Sequence, residues 1–114
     1  MNIPLQPSFR ALSDPTRREI LRKLCEEDLT ITEVVEKFEL TRTAVRKHLT
    51  ILEEGQLITV TPRGKERITQ LNPMGLKNTM EWFNYFDHYW DSALSSLKSA
   101  AEADSQNQTR GKRK

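Results

Sequence analysis

A chain of 114 residues, 36% hydrophobic and 30% charged, suffices for one domain with a modest core. No apolar run approaches the ~20 residues that cross a bilayer, and the first ten residues lack the apolar stretch of a secretory signal. A single cysteine excludes an intramolecular disulfide and a cysteine-rich metal site, so a cytoplasmic protein is expected. The net charge of +2 is uneven: without Arg110, Lys112, Arg113 and Lys114 the chain has 14 basic and 16 acidic residues, a net of −2. An anion-binding surface must therefore be a local patch.

In chain order, DPTRREILRKLCEE (14–27) opens with Asp14 as a cap and Pro15 at the first helical position. Ile20, Leu21, Leu24 and Cys25 follow at helical spacing, which predicts a buried or half-buried cysteine on an apolar face. Thr30 and Glu33 have the spacing of a capping box, with Val34, Val35 and Phe38 as the apolar face behind it. A second helix, TRTAVRKHLTILEEG (41–55), follows after a short connection, and such a pair is the skeleton of a helix-turn-helix. In LITVTPRGKERITQLN, β-branched residues flank Pro62-Arg63-Gly64-Lys65, which predicts a hairpin with Arg67 just inside its second strand. Asn72 and Pro73 begin a last helix expected to reach about residue 101, about 29 residues and roughly 43 Å. Residues 1–104 are read as one domain and 105–114 as a disordered basic tail.

The helix at 41–55 carries its charges against the helix dipole. Arg42, Arg46 and Lys47 crowd its first half and Glu53 and Glu54 its last turn, although the N-terminus is the positive end. At about 100° per residue, Val45, Leu49 and Leu52 centre one face, flanked by Ala44, His48 and Ile51. Arg42, Thr43, Arg46, Lys47 and Thr50 occupy the opposite arc. A solvated surface explains this at a cost of a few tenths of a kcal/mol per charge. An approaching polyanion explains it better, because a second helix-turn-helix helix meets base edges with its N-terminal residues. The basic hairpin tip adds a second cationic element.

ALSDPTRREIL, LTITEV, TRTAVRKHLTIL and the hairpin, in this order and at these distances, resemble the ArsR (SmtB/ArsR) winged helix-turn-helix repressors over roughly residues 8 to 98. The resemblance implies a mainly α fold with a small β-hairpin, and a homodimer formed through terminal helices that binds operator DNA and occludes transcription. By position it puts Thr41, Arg42, Thr43, Ala44, Arg46, Lys47 and His48 on the DNA-facing segment and Arg63, Gly64 and Lys65 at the wing tip. Arg42 and Arg46 suit guanine edges or phosphate. Thr41 and Thr43 suit phosphate or a thymine methyl, and Lys47, Arg63 and Lys65 suit phosphate. His48 lies beside the apolar face, where a half-buried structural role competes with DNA contact. Two departures stand out. Glu39 replaces the glycine common in the turn, at a cost on the order of 1 kcal/mol if φ is positive there. The glycine after the reading helix comes one residue early, as Gly55 before Gln56.

Metal sensing is the sharpest rival within the resemblance. The family's Cys-x-Cys pair falls on Thr30 and Thr32, whose hydroxyls are poor ligands for soft metals. In the last helix Asp87 and His88 are adjacent and no second histidine follows, short of the three or four ligands zinc requires. No metal site or cofactor is expected, and the sequence identifies no small-molecule ligand, although a pocket lined by the aromatics of the last helix is a weaker alternative.

In the last helix Leu76, Met80, Trp82, Phe83, Phe86, Trp90, Leu94 and Leu97 spread over about 160° of the wheel, wider than the ~100° a surface helix needs. Half of these residues suffice for a core. A partner copy accounts for the rest and fits palindromic operators. Trp82, Tyr85, Tyr89 and Trp90 resemble an ArsR subgroup with an aromatic final helix and no evident metal ligands. By the same resemblance the first helix, with Leu5 and Phe9, joins Trp82, Phe83, Phe86, Trp90, Leu94 and Leu97 in the dimer interface. No phosphate loop, nucleophile motif or acid–base cluster suggests an enzyme. A winged-helix protein-interaction module is the remaining alternative, against which the exposed Arg42, Arg46 and Lys47 argue, since such a face carries apolar anchors.

Overall fold

Asp14 begins a helix, and its geometry shows why the helix begins there. Its backbone is extended (φ −103°, ψ 130°), Pro15 fills the first helical position, and Oδ2 accepts the Arg17 amide at 3.0 Å. The computed structural model describes residues 5–112, with side chains to residue 105. The elements are α1 (Gln6–Leu12), α2 (Pro15–Leu24), β1 (Leu29–Thr30), α3 (Ile31–Phe38), α4 (Arg42–Glu54), β2 (Ile58–Arg63), β3 (Glu66–Leu71), α5 (Pro73–Asn84) and α6 (Asp87–Lys112). The chain divides into two units, one ending at Met80 and one beginning at Glu81. Among the described residues no helix is long and apolar enough to cross a membrane.

In the first unit, Ile20, Leu21 and Leu24 of α2, Val34 of α3, Val45, Leu49 and Leu52 of α4, and Leu29, Leu57 and Ile58 form one buried cluster. The strands form an antiparallel sheet ordered β1-β3-β2. β2 is an edge, which is where a strand tolerates Pro62. The two-residue β1 pairs Leu29 with Thr69 and Thr30 with Ile68. It is too short for any periodic signal and went unanticipated in the sequence.

Thr30 closes the expected capping box. Its Oγ accepts the Glu33 amide at 3.1 Å while its own amide donates to Glu33 Oε1 at 2.9 Å. The amide of Arg17 holds the Asp14 carboxyl below its ordinary value of 3.8, and the amide of Thr30 holds Glu33 below 4.5. Depressed carboxyl values contribute stability that is complete above the unfolded values and lost as pH falls through the folded ones. The thermal midpoint is therefore expected to fall below about pH 4. Asp14→Asn, whose amide oxygen still caps, should flatten part of that acid limb in a calorimetric pH series. An unaltered limb would contradict this assignment.

Three local expectations are revised. Cys25 is exposed, because α2 ends at Leu24 and the cysteine occupies the C-cap beyond the apolar stripe. The single long terminal helix is two helices. The Phe86 amide turns back to Phe83 O at 3.0 Å, a tight i−3 bond that ends α5 before α6 starts at Asp87. α6 then continues to Lys112, over residues whose composition suggests irregular chain. The side chains of the basic tail lie outside the described residues.

Both departures from the family's glycine pattern fall on left-handed backbone. Glu39 has φ +52° and Gln56 φ +60°, whereas Gly55 has an ordinary φ of −76°. Gly55 is small for another reason. A Cβ there would lie 2.9 Å from Pro7 O and 3.2 Å from Ser8 Cα, where α1 crosses the end of α4. Ser8 Oγ seals that crossing by donating to Gly55 O at 3.0 Å.

Candidate nucleic-acid interface

Thr41 starts α4 as its N-cap, accepting the Ala44 amide at 3.1 Å. Burial of Val45, Leu49 and Leu52 then fixes the rotation of the helix and leaves Thr41, Arg42, Thr43, Arg46, Lys47 and Thr50 exposed, with Ala44 half-buried. The hairpin β2–β3 stands beside this face. Its turn places Gly64 at φ +65° with open space around it, the residue and sign that a two-residue type II′ turn takes at its first central position. Arg63, Gly64 and Lys65 are all exposed at that tip.

The structure brings the two basic elements together across a cleft of about 330 Å³, lined by Ile31, Thr32, Arg42, Arg46, Lys65, Glu66 and Arg67. Arg42 does not extend freely into it: Nη2 donates to Thr32 Oγ1 at 2.9 Å. On the other side of α4 a second groove is lined by Arg10, Thr43, Arg46, Lys47, Thr50, Ile51 and Glu54. The exposed arc of α4 thus has cationic ground on both flanks. Such an arrangement suits a helix between the two phosphate backbones of a major groove.

His48 is placed differently. Its Nδ1 lies 3.3 Å from Arg17 Nη1 and 4.0 Å from Asp14 Oδ2. Arg17 is buried and donates from Nε to Ala11 O at 2.9 Å and from Nη2 to Arg10 O at 3.0 Å. A guanidinium only donates, so in its contact with Arg17 the imidazole Nδ1 is the acceptor. The imidazole thereby ties α4 to the α1–α2 corner.

Arg67, Arg10 and Glu66 line these grooves without having been singled out as site residues. Arg67 had a readable signal, since it lies just inside the second strand of a hairpin whose tip carries Arg63 and Lys65. Arg10 reaches α4 only through the packing of α1, which no local pattern encodes. Thr30 and Thr32, where metal-sensing relatives are expected to carry thiolates, serve as a helix cap and as the partner of Arg42.

A helix-turn-helix formed by α3 and α4, followed by a basic hairpin, defines a winged-helix DNA-binding protein. The chain belongs to the arsR family of bacterial regulatory proteins, whose model matches residues 14–60. It is similar to the transcriptional repressor SdpR of Bacillus subtilis (strain 168), with 33% identity over 86 residues, 75% of this chain and 96% of that protein. It is also similar to the HTH-type transcriptional regulator Rv2034 of Mycobacterium tuberculosis, with 33% identity over 88 residues, 77% of this chain and 79% of that one. An ArsR-like transcriptional regulator from Rhodococcus sp. RHA1 superposes with a TM-score of 0.70 at 30% identity, over 87% of this chain and 91% of the other. The protein is a DNA-binding transcriptional regulator.

Proposed function

We propose that this regulator is a cytoplasmic homodimeric repressor that covers an operator with two copies of the α4–wing surface. The observation that carries the reading is the convergence of Arg42, Arg46, Lys65 and Arg67 on one cleft beside the exposed arc of α4. In this reading Arg42 and Arg46 contact base edges, with Thr41 and Thr43 at the helix start. Lys47, Arg63 and Lys65 grip phosphates, and Gly64 lets the wing tip approach the backbone. Phosphate contacts set position, and base contacts set sequence preference. His48 serves this surface indirectly, by fixing the rotation of α4. The relative named as a repressor supports the sign of regulation.

Support for the dimer comes from the second unit taken by itself. Trp90, Leu94 and Leu97 recur at i, i+4 and i+7 on α6 and are 54%, 59% and 66% exposed. Contiguous apolar side chains left in water mark an interaction surface, and an isologous interface lets one patch serve both copies. Leu5, Phe9, Trp82, Phe83 and Phe86 complete the proposed interface. Two joined copies fit two half-sites, so dimerisation and operator binding are linked. Trp90→Ala is expected to raise the dimer dissociation constant at least tenfold by sedimentation and to weaken operator binding in parallel. The thermal midpoint at high protein concentration should change little. An unchanged dimer constant would refute the assignment of α6 to the interface.

A further inference from the structure

The cleft between α4 and the wing contains a carboxylate where a phosphate-binding groove has no evident need of one. Glu66 lines it alongside Arg42, Arg46, Lys65 and Arg67. Its Oε1 lies 3.4 Å from Thr32 Oγ1, and that hydroxyl accepts Arg42 Nη2 at 2.9 Å. A threonine hydroxyl has one proton to give. It is given to Glu66, which leaves the oxygen lone pairs turned toward the guanidinium. Three elements are thereby joined: the start of α3 through Thr32, the start of α4 through Arg42, and the wing through Glu66.

We propose that Thr32 and Glu66 are positioning residues for Arg42 that set the ratio of specific to non-specific DNA binding. The proposal rests on the reading of Arg42 as a base-contacting side chain. A long, flexible arginine at a protein–DNA surface has two uses. It lies along the backbone and neutralises a phosphate on any sequence, or it points at a base edge on the right one. Non-specific binding draws almost wholly on the first use. The bond to Thr32 spends one donor of the fork and holds the side chain in the cleft, so diverting Arg42 to a phosphate requires breaking that bond. Reading a base edge with the remaining donors leaves it in place. Glu66 orients the hydroxyl through a longer contact of 3.4 Å, so its share of the hold is the smaller one. Its charge also opposes a phosphate settling deep in the cleft, as like charges do at any interface. Arg46, Lys65 and Arg67 supply ample attraction, so the carboxylate reduces general affinity without abolishing it.

The test uses the full-length protein, its operator recovered by selection from genomic DNA, and a random duplex of equal length. Dissociation constants are measured across a salt series for wild type, Thr32→Val, Thr32→Ser, Glu66→Gln and Arg42→Ala. Thr32→Val is expected to lower the operator-to-random affinity ratio about tenfold, mostly by tightening random binding, and to steepen the random-DNA salt slope by about one per protomer as Arg42 becomes a phosphate contact. Thr32→Ser restores the ratio. Glu66→Gln shifts it in the same direction by a smaller factor and, being at an exposed position, reports even if the threonine variant folds poorly. Parallel changes in both affinities at a constant ratio would overturn the proposal and leave Thr32 a structural residue. A wild-type protein with no operator preference, or an Arg42→Ala variant that keeps it, would instead remove the base-reading role of Arg42 and the proposal with it. Loss of preference in Arg42→Ala alone would overturn only the positioning role.

Discussion

Replacing Arg42 and Arg46 together with alanine is expected to weaken operator binding about 100-fold or more while leaving thermal stability unchanged or slightly higher. Each well-made arginine contact to a base edge contributes about 1–3 kcal/mol, so two of them at about 1.4 kcal/mol each, in the lower half of that range, amount to about two powers of ten. Both side chains are exposed, and the apolar face of α4 is formed by Val45, Leu49 and Leu52, which the substitutions leave in place. Arg42 stands in the first turn of α4, where a positive charge opposes the helix dipole, so its removal relieves a few tenths of a kcal/mol that offset the lost bond to Thr32. The opposite signs of the two effects make the test discriminating. A variant that loses folding and binding together would show that these arginines serve the fold. Fluorescence anisotropy for binding and calorimetry for stability, on the same preparations, decide it.

The largest stability effect is expected at Gly75, on the first turn of α5. A Cβ at this position would overlap the carbonyl oxygen of Gln56 and lie 2.6 Å from its carbonyl carbon. The obstacle is backbone, so no side-chain rotation relieves it. The Gln56 backbone has little freedom to retreat. It already holds φ +60°, its amide bonds to Glu53 O at 2.9 Å, and next to it Leu57 is fully buried and accepts the Asn72 amide at 2.9 Å. Overpacking of this kind costs about 1–3 kcal/mol and occasionally more. With a rigid backbone on one side, Gly75→Ala should fall at or above the top of that range and lower the thermal midpoint by about 12 °C or more. Gly64→Ala provides the contrast, because its Cβ meets nothing within 4 Å and its cost is confined to the positive φ. A Gly75→Ala protein that melts with the wild type would contradict the close approach of α5 to the Gln56 turn.

Helix starts were the most legible features of this chain. Asp14 and Thr30 each cap as their spacing implied, since a cap depends on only three or four consecutive residues. The hairpin was equally readable, with Gly64 supplying the turn between β-branched runs. The glycine departures were informative as well: Glu39 and Gln56 carry the positive φ that the displaced pattern brought into question. Features that depend on distant packing were not readable. The partner of His48 is 31 residues away, and Thr32 meets Glu66 across 34. β1 is too short for a period, and the break at Phe86 interrupts an apolar pattern that continues through it. Burial of Cys25 failed as an expectation because helical spacing says which face a residue shares, whereas the end of α2 decides whether that face is still covered.

Mapping amide and guanidinium resonances of the isotopically labelled protein, as a genomic operator fragment is added, tests the central claim most directly. The largest shifts should cluster at residues 41–47 and 63–67, with the outer surface of α2 around Arg18, Glu19 and Arg22 silent. Perturbations centred on that α2 surface, with the first turns of α4 and the hairpin tip unmoved, would contradict the account.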